Sequence, residues 1–487
     1  MRLLVKRMSG VASLAMLMMT AGCMVGPHYR APAPPTVTAY TPQPLPPETA
    51  SSNGAAVGAQ HFNEQTAVPA EWWKTFGSPQ LNAMVEQALK NNPTLDEATA
   101  RLKQAQEEVN ARTGSTKYPT VTGGASVTEE QLNLAALGVP FPNPSPFTLL
   151  NGSVAVSYAL DLWGANRRAI EALKAQRDYE AWQLEGARLM LAGNVVTAAI
   201  RQAQVRRQIE LMEQLAAVER RQLQIAQERE RAGGVSDFDV RSQRTLMAQT
   251  EAAIPPIQLQ MDTIDDQLAV LMGVSPAEAR VEEISLAGLH LPEELPLTVP
   301  SELVRQRPDI RAAEALLHEA SANVGVARAN EFPQIVLTGS GGGSGTRFNS
   351  GGDVWNVGAA LAAPIFNGGA LQAEKRKAED AYDEAASAYR ETVLKSFAEV
   401  ADALYTTERD AETLQARAAA ASEADAAYGI VTKRYDAGGI SEASLLDAER
   451  QQLQTTLDRE NAAASRLTDS ATLFQALGGG QLPAVQH

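Results

Sequence analysis

The feature that most constrains this fold is a run of about 67 residues, 165–231, that contains no proline and only two glycines. As one helix it would be roughly 100 Å long, and an ordinary globular core needs nothing of that length. Its apolar positions recur at steps of 3, 4 and 7, which is typical of a coiled-coil seam with solvated faces on either side. The seam consists of Leu184, Leu191, Val195, Ala198, Val205, Ile209, Met212, Ala216, Leu223 and Ala226.

The same plan occurs a second time, in residues 369–437. "NNPTLDEATARLKQA" (91–105) resembles "QRPDIRAAEALLHEA" (306–320), and "RERAGGVSDFDVRSQRT" resembles "KRYDAGGISEASLLDAER". The glycine pairs of the latter two segments lie 205 residues apart. We therefore predict an internal tandem duplication, in which each half consists of a helix, two strands, a very long helix and a helix.

The segments before the two long helices alternate in polarity with a period of two. In "GSVAVSYALDLWG", Val154, Val156 and Tyr158 lie on one face, and small or polar residues lie on the other. This alternation fits a transmembrane β-strand and a half-buried strand of a soluble sheet equally well. The long helices favour the membrane interpretation.

Four membrane strands in one chain would leave two open edges, which lipid does not tolerate. The sheet must then close with further copies of the chain. A dimer would give a plugged eight-stranded barrel and a trimer a 12-stranded pore, with the long helices forming a tube next to it.

The N-terminus has the order of a secretory signal: basic residues, an apolar run, then small residues before Cys23. "TAGC" also fits the bacterial lipoprotein pattern, which predicts that Cys23 carries diacylglycerol and an N-acyl chain, with no other cofactor. Cys23 is the only cysteine, so it cannot form an internal disulfide. Removal of the signal leaves a net charge of about −18, which argues against a nucleic-acid partner.

These patterns divide the chain into the following predicted segments. They are a signal peptide (1–22), an acylated tether (23–65), a first repeat (66–273) with strands near 118–129 and 151–163 and helices 165–231 and 236–273, a linker (274–300), a second repeat (301–480) with strands near 333–341 and 353–365 and helices 369–437 and 441–477, and a tail (481–487).

Two further local expectations follow from glycine and proline. The segment "GSGGGSG" (339–345) is predicted to be a flexible extracellular loop. Pro255 and Pro256 are predicted to break the last helix of the first half.

No motif of an enzyme is present: the sequence contains no HExxH, CxxC, GxSxG or phosphate loop, and its five histidines are scattered. We therefore expect neither catalysis nor a metal site. Trp72 and Trp73 are expected to pack where the tether meets the helical body.

Several segments together resemble the outer-membrane factor family, the TolC-like outer-membrane efflux proteins, and within it the acylated OprM/NodT-type lipoproteins. They are "CMVGPHYRAP", "EWWKTFGSPQLNAMVEQAL", "LDLWGANRRAIEALKA", "VPSELVRQRPDIRAAEALLHEASANVGVARANEFPQI", "APIFNGGALQAE" and "RYDAGGISEASLLDAERQQL". The resemblance implies a membrane α+β fold: a homotrimer with a 12-stranded transmembrane β-barrel, four strands per chain, continuous with a periplasmic α-helical coiled-coil barrel.

The resemblance also implies a function and its partners. The chain would be the passive outer-membrane exit duct of a tripartite efflux pump. It would receive drugs and other small toxic compounds from a periplasmic adaptor (membrane fusion protein) and an inner-membrane transporter of the RND type, and it would contact outer-membrane lipid. The alternatives are a duct for type I protein secretion and a structural or adaptor coiled-coil lipoprotein of the periplasm.

In this family the joints between the long helices and the helices that follow close the periplasmic aperture. By match to the family, the gate residues are Asp239 in the first joint and Asp447 in the second, with Ser444 where many relatives carry another acid or a polar group, and Arg450 as a partner of Asp447. The helix-joint glycines Gly233, Gly234, Gly438 and Gly439 allow the left-handed turn that ends each long helix. For Asp239 the alternative is an acidic first helical turn.

Overall fold

A computed structural model describes residues 24–51, 58–63, 66–131, 138, 145–347 and 351–480. The predicted signal peptide, Cys23 and the tail lie outside the described residues. Two compact units make up the chain, and several helices contribute residues to both. Of the described residues, the first unit comprises those within 24–32, 101–180 and 312–389, and the second comprises those within 33–100, 181–311 and 390–480.

The helices dominate the described part of the chain. They are α1 (Pro79–Asn91), α2 (Pro93–Lys117), α3 (Ala165–Arg231), α4 (Asp237–Leu271), α5 (Pro300–Gln306), α6 (Pro308–Ala329), α7 (Ala370–Asp436) and α8 (Glu442–Ala476). Both α3 and α7 have 67 residues, and both α4 and α8 have 35. The predicted bounds of α3 are those of the structure. None of the described helices is long and apolar enough to cross a membrane.

Helix α4 corrects one expectation, because it continues through Pro255 and Pro256. Each proline removes one N–H donor, so the carbonyl groups of Glu251 and Ala252, one turn earlier, lose their partners in the helix. Both prolines and Ala252 are exposed, and water can hydrate those carbonyl groups. The loss is small in a helix of 35 residues, so the helix is not broken.

The first unit contains an antiparallel sheet of four strands in the order β2–β3–β5–β6. Its strands are β2 (Thr120–Glu130), β3 (Phe147–Leu160), β5 (Gln334–Gly345) and β6 (Gly352–Ala362). Relative to the predictions, β3 starts and ends earlier and β5 extends four residues further. In this sheet β2 and β6 are the edge strands.

The extension of β5 overturns the prediction of a loop at residues 339–345. Gly341 pairs with Val154 of β3 on one side and with Trp355 of β6 on the other. Because β5 lies between two partners, backbone hydrogen bonds on both edges hold it extended without help from side chains. Glycine in a strand also allows close approach of a neighbour: a Cβ on Gly342 would lie 2.1 Å from the carbonyl oxygen of Gly152.

The register of the sheet separates the two faces that the alternation predicted. Val154, Trp355 and Val357 lie on one face, and they are 54%, 78% and 81% exposed. The opposite face carries small and hydroxyl side chains, among which the Asn356 amide donates to the Ser340 hydroxyl at 2.9 Å. The sheet thus has an exposed apolar face and a small polar face.

The second unit holds the larger core. Trp72 and Trp73 are buried as expected, in a short 3-10 helix, and Trp72 stacks on Phe474 of α8 with ring centroids 5.5 Å apart. A parallel pair of short strands, β1 (His61–Asn63) and β4 (Glu294–Pro296), joins the tether to the linker of the sequence prediction.

Candidate functional site

The two joints between long and shorter helices have the same backbone geometry. Gly233 and Gly438 adopt left-handed φ angles of 73° and 72°. The next glycine in each joint donates its N–H to a carbonyl five residues earlier, Gly234 to Arg229 at 2.7 Å and Gly439 to Arg434 at 2.8 Å. This pattern is the Schellman termination of a helix, which satisfies the last carbonyl groups and reverses the chain.

The caps that start α4 and α8 differ in charge. Ser236 and Asp239 form a complete capping box: the Ser236 hydroxyl accepts from the Asp239 N–H, and the Asp239 carboxylate accepts from the Ser236 N–H at 2.9 Å. The Ser236 hydroxyl also donates to the Asp239 carboxylate at 2.7 Å, and this bond, with the one from the Ser236 N–H, holds the pKa of Asp239 below its usual range. In the second joint Ser441 caps α8 and Ser444 occupies the position of Asp239. Within one chain, Asp239 and Ser444 therefore serve as capping residues.

Asp447 contacts the first half of the molecule. The Gln222 side chain of α3 donates to the Asp447 carboxylate at 2.8 Å. Gln222 is buried, and its own side-chain oxygen has no partner in the described part of the chain. No ion pair joins Asp447 to Arg450 among the described residues, so the contact that positions Asp447 is between helices.

One residue to the N-terminal side of Gln222, a second link joins the same two helices. Arg221 of α3 donates two parallel hydrogen bonds to the Glu442 carboxylate at the start of α8, at 2.7 and 2.8 Å. Such paired bonds fix orientation as well as distance. Hydrogen bonding to Arg221 lowers the pKa of Glu442. Sequence reasoning missed this pair because its partners lie 221 residues apart and the family resemblance assigned a role to neither of them.

An apolar cluster between α3 and α8 accompanies these two polar links. Leu211, Leu215 and Val218 of α3 are buried with Leu446 and Leu453 of α8. The α3 face therefore combines burial of leucines with two polar links, of which the ion pair is partly exposed. A contact of this kind holds two helices firmly yet can separate without leaving a fully buried charge.

The first joint also exposes an aromatic side chain. Phe238, in the first turn of α4, is 77% exposed. In the part of the chain that the structure describes, no group of three histidine, cysteine, aspartate or glutamate side chains can hold a metal ion.

Comparison with solved structures identifies the class of protein that has this fold. The outer-membrane channel OprN is 28% identical, with a TM-score of 0.81, over 94% of this chain and 99% of that one. The open state of the MtrE outer-membrane channel of Neisseria gonorrhoeae is 26% identical, with a TM-score of 0.76, over 94% of this chain and 98% of that one. The chain therefore has the fold of an outer-membrane channel.

Its sequence gives the family. The model of the outer membrane efflux protein family matches residues 84–274 and 299–479. The pyoverdine export outer membrane protein OpmQ of Pseudomonas putida is 30% identical over 451 residues, 90% of this chain and 94% of the relative. The chain belongs to the outer membrane efflux protein family, and it is an efflux channel of the bacterial outer membrane.

Proposed function

We propose that three copies of this chain together form one 12-stranded barrel, and that their long helices form a tube continuous with it. The observation that carries this proposal is the four-stranded sheet, with its exposed apolar face and its edge strands β2 and β6. Open strand edges in lipid leave backbone N–H and C=O groups without hydrogen-bond partners, which is energetically costly. Pairing of β6 with β2 of the next copy would supply those partners. On this proposal Trp355 and Val357 face lipid, and Ser340 and Asn356 face the pore.

The tandem duplication is part of the same proposal. Equal helix lengths support it, and so do two matching contacts at the far ends of the shorter helices. The Asn92 amide donates to the carbonyl oxygen of Leu271 at 2.8 Å, and the Arg307 guanidinium donates to that of Ala476 at 2.7 Å. Leu271 and Ala476 end α4 and α8 and lie 205 positions apart.

The duct would work without an energy source of its own. An inner-membrane transporter of the RND type would supply the energy, and a periplasmic adaptor would contact the joints, where Phe238 offers an exposed aromatic side chain. The cargo class that we propose is small molecules, since the related protein OpmQ is named for pyoverdine export. At the N-terminus, Cys23 would carry the acyl chains and fix the tether to the membrane.

The gate proposal concerns α3 and α8. Arg221–Glu442 and Gln222–Asp447 would hold the hairpin of α7 and α8 in its closed position, and opening would separate both links. A duct opens when its partners bind the open state more tightly than the closed one. The carboxylate of Asp447 would also favour cations at the narrow point.

Single-channel recording in planar bilayers tests the gate. We expect Asp447→Ala and Arg221→Ala to raise the conductance, since each removes one link between α3 and α8. The matched control is Asp237→Ala in the other joint, because Asp237 pairs with Arg241 of its own helix at 2.7 Å and should leave conductance unchanged. Unaltered conductance of both test variants would refute the gate.

Two measurements test the assembly and the cargo class. A heat-sensitive trimer band on gel electrophoresis of outer-membrane fractions is expected, and a monomer there would contradict the trimer. A deletion strain should become more susceptible to small toxic compounds and keep its secreted proteins. Unchanged susceptibility with loss of an exoprotein would indicate protein secretion instead.

A further inference from the structure

Two carboxyl groups meet between the long helix α7 and helix α8. Asp410 of α7 and Asp469 of α8 are partly buried. Asp469 lines a cavity together with Thr406, which lies one turn before Asp410 on α7, so the two carboxyl groups are close enough to interact. At the positions 205 residues earlier, the first half has Val205 and Ile264, which are 1% and 4% exposed. The second half thus places two acids where the first half has an apolar contact.

A carboxyl pair in contact requires a proton. Two ionised carboxylates are acceptors only and repel each other, so their contact is favourable when one proton lies between them. Burial, together with the neighbouring Asp410, raises the pKa of Asp469 to about 8. The Oδ2 atom of Asp469 receives no hydrogen bond within the described ranges.

Arg466, one turn before Asp469 on α8, is the nearest opposite charge. Its side chain is 1% exposed, and it donates to the hydroxyl of Thr49 at 2.6 Å, to the side-chain oxygen of Gln60 at 3.3 Å and to the carbonyl of Gly58 at 3.2 Å. All three acceptors are neutral, and burial lowers the pKa of Arg466 to about 10. Its Nη1 group has no acceptor in the described residues. A buried guanidinium with a free N–H group lies beside a carboxylate with a free oxygen.

Solvent reaches Asp469 through a cavity of about 490 Å³ that this residue helps to line. The cavity gives a proton a route to bulk water. Its other charged groups are Arg307, Asp309, Glu399 and Asp402, and its α3 wall of Gly186, Leu189 and Met190 carries none. Arg307 is already paired with Asp309 and Glu399. Arg466 is therefore the cation available to an ionised Asp469.

We propose that Asp410 and Asp469 form a proton-binding site that fastens α7 to α8, and that loss of the shared proton moves Asp469 from Asp410 to the free Nη1 group of Arg466. The proton leaves through the cavity, and no bond other than its O–H bond breaks. The contact between α7 and α8 then loses its hydrogen bond and gains repulsion, so the two helices loosen as pH rises. The site does not depend on the gate proposed above.

The direction of the pH effect follows from linkage. A carboxyl group with a raised pKa in the folded state binds more protons there than in the opened state. The protection of this helix contact against amide hydrogen exchange is therefore greatest at low pH. It falls as pH rises toward about 8, by up to tenfold per pH unit for one proton.

Amide hydrogen exchange of the full chain in detergent, read by mass spectrometry, tests the site at about pH 6 and about pH 9. After correction for the intrinsic pH dependence of exchange, peptides covering 403–413 and 464–472 should exchange at least about tenfold faster at the higher pH. Peptides around Val205 and Ile264 are the internal control and should show no such change. Equal protection of the second-half peptides at both pH values would overturn the proposal.

Variants identify the groups. In Asp469→Asn the side chain can still donate to Asp410 but cannot ionise, so the variant should keep its protection against amide exchange and lose the pH effect. If that protein does not fold, Asp410→Asn is the second variant. Arg466→Met, which copies Met261 of the first half, should enlarge the loss at high pH because ionised Asp469 then lacks a cation. A pH effect that persists in both asparagine variants, or one that follows Na⁺ concentration at constant pH, would refute proton binding by this pair.

Discussion

The hairpins α3–α4 and α7–α8 have the same skeleton and different contacts. Helix lengths, left-handed glycines and Schellman hydrogen bonds agree residue for residue at an offset of 205 positions. The first hairpin has Val205 and Ile264 at the level where the second has Asp410 and Asp469. The first joint has a charged cap at Asp239 where the second has Ser444.

This comparison distinguishes the features that form a helical hairpin from the ionisable groups that differ between the two hairpins. Backbone termination and apolar spacing suffice for the shape, since both hairpins have them. Asp239, Asp410 and Asp469 each occur in one hairpin, and each has a neutral counterpart in the other hairpin. The neutral counterparts therefore serve as natural control substitutions.

The largest expected effect comes from the residues that hold the ends of α4 and α8. Arg307 is buried and bonds to Asp309, Glu399 and the carbonyl oxygen of Ala476. Arg307→Ala should lower the local free energy of opening at the end of α8 by about 3 kcal/mol, since hydrogen bonds to charged groups are lost together. Amide exchange of the 470–478 region measures it.

The matched control for Arg307 is Asn92→Ala at the end of α4. At the end of α4, Asn92 makes one neutral hydrogen bond, to the carbonyl of Leu271 at 2.8 Å, so its loss there should cost about 1 kcal/mol. Its second hydrogen bond, accepted from the Thr94 N–H at 2.9 Å, lies at the start of α2 and does not contact α4. An equal cost at both ends would show that the ion pairs around Arg307 add nothing to the cap.

The next largest effect is expected when two residues of the first hairpin are copied into the second. The double variant Asp410→Val with Asp469→Ile replaces the acid pair by its counterpart, and we expect it to stabilise the contact by about 2 kcal/mol at about pH 9. Buried polar pairs are often less stable than apolar groups of similar volume. Thermal unfolding followed by circular dichroism measures the gain, and a lower melting temperature than the parent at that pH would contradict it.

The joint glycines should show equal effects in the two halves. Gly233 and Gly438 have left-handed φ angles, and no atom lies within 4 Å of the place that a Cβ would take, so each substitution to alanine costs only backbone strain, about 1 kcal/mol. Gly273→Ala is the contrasting control, because its Cβ would lie 2.3 Å from the carbonyl oxygen of Asn91. Thermal unfolding of the three variants compares them, and unequal costs at Gly233 and Gly438 would show that the joints differ beyond their caps.

The sequence predicted the elements better than their contacts. Helix α3 had the right bounds because proline absence and apolar period are local signals over many turns. The period also placed Leu184 and Leu223 in the core, where both are buried. The predicted β5 was too short because its glycines show no alternation of apolar and polar side chains. Two neighbouring strands hold it by backbone hydrogen bonds, which no local sequence signal reports.

The partners of the charged residues could not be predicted in the same way. Asp447 was expected to meet Arg450 on its own helix, yet its hydrogen bond comes from Gln222, 225 positions earlier. Local spacing cannot show which helix faces another. For Asp410 and Asp469 a signal did exist, since comparison of the halves at the 205-residue offset places acids opposite the apolar Val205 and Ile264.

The smallest expected effect lies in the caps, and Asp239→Ser measures it by turning the first joint into a copy of the second. The lowered pKa of Asp239 means that its capping contribution is present above the ordinary pKa of an aspartate and is lost as pH falls through the lowered value. Amides of residues 236–240 should therefore exchange faster at about pH 3 than at about pH 5 after intrinsic correction. In Asp239→Ser this pH response of the first joint should disappear. A pH response that persists in this variant would assign the titration to another group of the joint.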